Sequence, residues 1–190
     1  MTDAHAHSSP APSPWIVRFA PLIAPGARVL DLACGHGRHA RFLAARGHRV
    51  VAVDRDGAAL ATLAGVPGVE TRGLDLEAGA WPLPGERFDA IVVVNYLHRP
   101  LFGHLRDALA ADGVLLYETF ALGNEAYGRP ANPDFLLRPG ELLALAALPP
   151  DALTVVAFEQ GLVVDGDRRA VVQRLAAVGP ARAWPAPIAG

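Results

Sequence analysis

Lysine is missing from this 190-residue chain; all 17 of its Lys-plus-Arg residues are arginine. That removes lysine as a catalytic base or Schiff-base residue. Cysteine is nearly missing too. The single Cys34 excludes an intramolecular disulfide and reads as a small buried filler. No apolar run approaches the roughly 18 residues of a membrane span, so no membrane partner is expected. No group of His, Cys and Asp carries metal-ligand spacing, and no metal is expected; His36 and His39 read as turn residues, His5 and His7 as part of a loose tail. The net charge of −2 gives no electrostatic footprint for nucleic acid. The first 14 residues lack a basic region and an apolar core, so they do not read as a secretory signal, and a cytoplasmic location is expected. What the chain has is 52% hydrophobic against 19% charged residues, enough for one well-filled domain. Its boundaries are expected at 13–178, with flexible ends at 1–12 and 179–190.

The most informative stretch is RVLDLACGHGRHA, residues 28–40. An apolar, β-prone run (Val29, Leu30, Leu32) ends in Gly35 and Gly37, and a helical pattern follows from Arg38 to a stop at Gly47. A second apolar run, 49–53, closes on Asp54. Strand, Gly-rich turn, helix, strand and acid form the opening unit of a nucleotide-cofactor Rossmann fold. Gly35-x-Gly37-x-x-Ala40 also fits the dinucleotide fingerprint, which keeps an NAD-dependent oxidoreductase open as an alternative. Asp31 argues against it, because a carboxylate at the strand end repels a pyrophosphate but suits a cationic ligand. Arg38 at the helix start opposes the helix dipole unless it meets a carboxylate; Asp31, Asp54 and a cofactor carboxylate are the options.

The rest of the chain continues the alternation. Ser13-Pro14 reads as N-cap and first position of a short helix with Trp15, Phe19 and Leu22 on one face. Further helices are expected over 57–64, 100–110 and 140–147, and strands over 69–74, 88–94 and 113–119. A stretch at 120–138, rich in Gly, Pro and Asn, interrupts the pattern and is expected to cover the substrate side as a lid. Two last strands, 153–159 and 169–176, flank Asp165-Gly166-Asp167, a hairpin signal.

Asp31-x-x-x-Gly35-x-Gly37 resembles the first motif of the class I S-adenosylmethionine (SAM)-dependent methyltransferases, and the terminal hairpin matches their sheet. More loosely, the chain is similar to the small-molecule members, including the tellurite-resistance type. The resemblance implies an α/β fold: a doubly wound, mostly parallel seven-stranded Rossmann-like sheet with an antiparallel C-terminal hairpin. It implies SAM as cofactor, with Asp31, Ala33, Gly35 and Gly37 around the methionine part, Asp54 on the ribose hydroxyls, and Arg55 near the adenine. Asp75 and Leu76 would read the adenine amino group and ring. Asn95 and Tyr96, after the fourth strand, would line the transfer site, with His98 as a candidate base; these three are the catalytic candidates. Glu118, Asn124, Tyr127 and Arg129 are the substrate-binding candidates. Asn-Tyr-Leu-His replaces the Asn/Asp-Pro-Pro-Tyr of enzymes that methylate amino groups of bases. A small-molecule methyl acceptor is therefore expected, with a non-catalytic SAM-binding module as the alternative.

Overall fold

The computed structural model describes residues 11–149 and 151–185. Residues 1–10 and 186–190 of the two expected flexible ends lie outside the described part.

Alternating apolar runs and helical segments build a single seven-stranded sheet in the order β3-β2-β1-β4-β5-β7-β6. The strands are β1 (Arg28–Leu32), β2 (Arg49–Asp54), β3 (Val69–Gly73), β4 (Phe88–Val94), β5 (Leu109–Phe120), β6 (Thr154–Asp165) and β7 (Arg168–Val178). The first five pair in parallel, while β7 slots antiparallel between β5 and β6. The expected sheet and hairpin are both present, the hairpin closing through Gly166 at φ 58°. Both strands of the hairpin and β5 run longer than expected. Helix α4 (Leu101–Ala108) ends directly into β5, with no loop between them.

Helices cover both faces. On one side α1 (Pro14–Phe19), α2 (Arg38–Ala45) and α3 (Gly57–Ala61) bury Trp15, Ile16, Phe19, Leu43 and Leu60 against Val29, Val50, Val92 and Leu116. On the other, α4 and α5 (Glu141–Ala146) bury Leu101, Leu105, Leu142 and Leu145 against Leu30, Val51, Ile91 and Leu115. Period-2 alternation along β1, β2, β4, β5 and β7 thus divides their side chains between two cores. Ser13 caps α1 as expected, its hydroxyl accepting from the Trp15 N–H at 3.1 Å.

Residues 179–182 remain hydrogen-bonded to the body. The Gly179 and Ala181 N–H groups donate to Gly113 and Ala111 carbonyls, and the Arg182 guanidinium donates to the Leu22 carbonyl at 2.6 Å. Because β1 and β4 are neighbours whose chains leave in opposite directions along the sheet, a cleft opens at their carboxyl ends.

Candidate active site

The cleft begins in the turn after β1. Ala33, at φ 53°, and Asn95 after β4, at φ 58°, are the two non-glycine residues with positive φ among those described. Strain of this kind persists where surrounding structure over-determines it, commonly at ligand sites. Gly37 starts α2 at φ 73°, and a β-carbon there would lie 2.4 Å from the Leu63 side chain. Glycine is therefore required both by backbone angle and by space.

Asp31 is 1% exposed, and its Oδ2 is buried with no hydrogen-bond partner. Burial raises its pKa from 3.8 to about 7, while the Ala40 backbone N–H and Arg38 pull the other way. Arg38 makes no salt bridge among the described residues; it reaches the Ala11 carbonyl at 3.4 Å. His39 is buried, and its Nε2 accepts the Ser13 N–H at 3.1 Å. Burial and then Arg38 hold its pKa down at about 3, so it is neutral, and it sits in the first turn of α2 and not in the preceding turn as expected. Cys34 is buried as expected, and burial followed by the Asp31 charge pushes its thiol up, out of nucleophile range. Asp31, Ala33, Gly35, Gly37, Arg38, His39 and Asn95 share one recess.

A larger cavity of about 390 Å³ adjoins it through Ala33 and Asn95. One end carries Asp54, Arg55, Asp75, Leu76 and Glu77; the other is made by Leu97, Thr119, Phe120, Pro130 and Phe135. Asp54 holds the two turns together, accepting the Gly35 N–H at 2.8 Å and the Asp56 N–H at 2.9 Å. Each of its oxygens retains acceptor capacity toward the cavity. Asp75 likewise accepts the Glu77 N–H at 2.9 Å. Tyr96 donates to Glu77 at 3.3 Å; burial, then the Glu77 charge, raise its phenol so that it stays protonated. The Tyr117 hydroxyl donates to the Tyr96 carbonyl at 3.0 Å and braces this loop from below.

All the cofactor candidates and two of the catalytic candidates, Asn95 and Tyr96, thus converge on one cleft. His98 is half-buried and does not line the cavity. The substrate candidates do not line it either. Glu118 shares the β5 face of Val114 and Leu116, so it points toward α1, where it accepts the Ser13 hydroxyl at 2.8 Å. Arg174 Nε lies 2.9 Å from the same carboxylate, an ion pair whose angle is too poor for a hydrogen bond. Asn124 is buried; it donates to the Pro130 carbonyl at 3.0 Å and accepts the Val171 N–H at 3.1 Å, pinning the loop. Tyr127 and Arg129 are exposed on its tip.

The loop contributes Pro130 and Phe135 to the cavity instead. Its roots are tied into the fold, since Ala121 pairs with Leu137 and the Ala121 N–H donates to the Val171 carbonyl. Thr119, Phe120, Pro130 and Phe135 escaped the sequence reading. A proline and an aromatic within a polar loop were the signal available.

A doubly wound sheet of this order, with an acid in β1, paired glycines after it and a second acid closing β2, has the fold of the class I SAM-dependent methyltransferases. Residues 29–113 match the model of the methyltransferase domain family. TehB from Haemophilus influenzae superposes with a TM-score of 0.75 over 91% of this chain and 64% of its own, at 20% identity. The chain therefore spans under two thirds of TehB. A SAM-dependent methyltransferase from Mesorhizobium loti gives 0.65 at 18% identity, covering 84% of this chain and 95% of its own. Coclaurine N-methyltransferase, bound to N-methylheliamine and S-adenosylhomocysteine (SAH), gives 0.63 at 14% identity over 86% and 71%. No curated protein matches the chain in sequence. The fold is therefore that of SAM-dependent methyltransferases, whose cofactor is SAM, and residues 29–113 carry the match to the methyltransferase domain.

The residues present fit that cofactor. A buried, unpartnered carboxylate oxygen at Asp31 is a receptor for an ammonium, and the Asp54 carboxylate retains acceptor capacity for hydroxyls. Ala33 and Asn95, both with left-handed backbone, line the recess and the cavity alike.

Proposed function

We propose that the chain methylates a small molecule held at the Thr119–Phe120–Pro130–Phe135 end of the cavity. The observation that carries the reading is the continuity of that end with the acid-lined end at Asp54 and Asp75. Cofactor and acceptor would then occupy one cleft of about 390 Å³ and its adjoining recess, a size suited to small ligands. That coclaurine N-methyltransferase, of similar fold, holds N-methylheliamine supports the same class of acceptor.

In this reading Asp31 holds the methionine ammonium and Arg38 faces its carboxylate. Asp54 takes the ribose hydroxyls while it fixes the Gly35 turn. Asp75 and Leu76 meet the adenine, with Arg55 beside it. When bound, SAM would supply an activated methyl group on a cationic sulfur, whose loss to an acceptor lone pair would leave the bonding pair on sulfur and a proton to pass from the acceptor to water. The chain's own part is positioning, for which effective molarities of about 10⁵–10⁸ M are available without a dedicated base. Tyr96 stays neutral and orients, and Asn95 edges both the recess and the cavity. Asp31 is also an unsuitable neighbour for a dinucleotide pyrophosphate.

Calorimetry with SAH and NAD, followed by a radiolabelled-SAM acceptor screen, tests the reading. SAH is expected to bind and NAD is not. Transfer to a protein or nucleic acid with none to small molecules would overturn it.

A further inference from the structure

Phe135 combines two properties that rarely meet. It is 51% exposed, so its ring forgoes much of the burial worth about 25 cal/mol per Å². Yet the backbone around it is gripped on both sides. Arg99 donates through Nη1 to the Asp134 carbonyl at 2.7 Å and through Nη2 to the Leu136 carbonyl at 2.8 Å. Glu141 holds that guanidinium in turn, with its oxygens 2.6 Å from Nε and 2.9 Å from Nη2. Asn132 caps the same 3-10 turn, accepting the Asp134 N–H at 3.0 Å. A side chain left half in water on so fixed a support is held for something that comes to it.

The surroundings say what. The wall that Phe135 shares with Leu97, Thr119, Phe120 and Pro130 carries no charge. The cavity's carboxylates and its one cation, Arg55, lie at the opposite end. Arg99, the cation that grips the backbone on both sides of the ring, is spent on Glu141 and two carbonyls. Among the residues that line this end, an oxyanion finds no positive partner and a cation finds no carboxylate. A flat apolar body finds two aromatic rings and a proline.

Building on the methyl-transfer reading, we propose that Phe135, positioned by Arg99, packs against an uncharged acceptor with an aromatic or similarly flat body. Phe135 is then a specificity-determining contact and Arg99 a positioning residue.

The test uses the full chain with radiolabelled SAM and a panel of phenols, thiophenols and aromatic amines, set beside tellurite, selenite and aliphatic carboxylates. Aromatic members are expected to be methylated. Phe135→Ala should raise their KM about tenfold with kcat little changed, a loss of roughly 1.4 kcal/mol. Phe135→Tyr should stay near the parent. Arg99→Ala should raise KM likewise while SAH affinity holds, and Arg99→Lys should recover only part, since an ammonium cannot bridge both carbonyls with the same fork. Turnover of oxyanions or carboxylates alone overturns the proposal, as does an unchanged KM in Phe135→Ala. A Phe135→Ala that alters only oligomeric state makes the ring an interface residue and also overturns it. If no panel member turns over, saturation-transfer NMR on the SAH-loaded protein decides: contact with the aromatic members that Phe135→Ala abolishes supports the proposal, and no contact overturns it. Absence of SAH binding is a different failure, that of methyl transfer itself, and removes both.

Discussion

At the scale of single residues, Asp31 carries the sharpest consequence. Its carboxyl is raised from 3.8 to about 7 by burial, so the unliganded protein holds a proton there that the unfolded chain has lost. Stability contributed by that proton is present at low pH and declines as pH rises from about 4 through 7. An ammonium needs the carboxylate, so SAH affinity should climb as pH rises through about 7 and fall by up to about tenfold per unit below it. Calorimetry in buffers of different ionisation enthalpy should register proton release below that value. Asp31→Asn should flatten the profile, weaken SAH, and raise the melting temperature of the unliganded protein at pH 8 by a few degrees. Asp54→Ala should weaken SAH at least about tenfold, since a charged hydrogen bond contributes roughly 1.5–3 kcal/mol. That variant also frees the Gly35 and Asp56 N–H groups, so hydrogen exchange should quicken in both turns.

Among the elements, the turn from β1 into α2 is the least forgiving. Gly37→Ala would place a methyl 2.4 Å from Leu63 at a φ of 73°, and should cost at least about 2 kcal/mol by denaturant titration. This element was also the most legible in the sequence, because the acid, the two glycines and the closing Asp54 sit at fixed spacings in one strand–turn–helix–strand unit. The lid was legible only in outline. Glu118 fell inside the expected fifth strand and was expected to meet substrate, but strand parity turns it toward α1 and Thr119 toward the cavity. Asn124 is a clasp for Pro130 and Val171, a role set by β7, about 47 residues further on, which no local pattern announces. Phe135 gains its place from Arg99 and Glu141, again across the fold.

For the whole molecule, the Ser13–Glu118–Arg174 contact joins the first helix, the fifth strand and the seventh. Breaking a buried ion pair by removing one partner costs about 3–5 kcal/mol. Because Arg174 keeps Glu159 as a second partner at 3.3 Å, Glu118→Ala should lower stability by less, about 1–3 kcal/mol, while leaving acceptor KM within a few fold, as thermal melts and kinetics side by side would show. The same seam bears on how the protein is made. β7 lies late in the chain but sits inside the sheet, hydrogen-bonded to β5 on one side and β6 on the other. As the polypeptide leaves the ribosome, β5 emerges with an open edge and β6 follows with no neighbour to join. Both wait until residues 168–178 have cleared the exit tunnel. A nascent chain stalled before that point exposes two unpaired strands, and translation speed over the final hairpin becomes a determinant of yield.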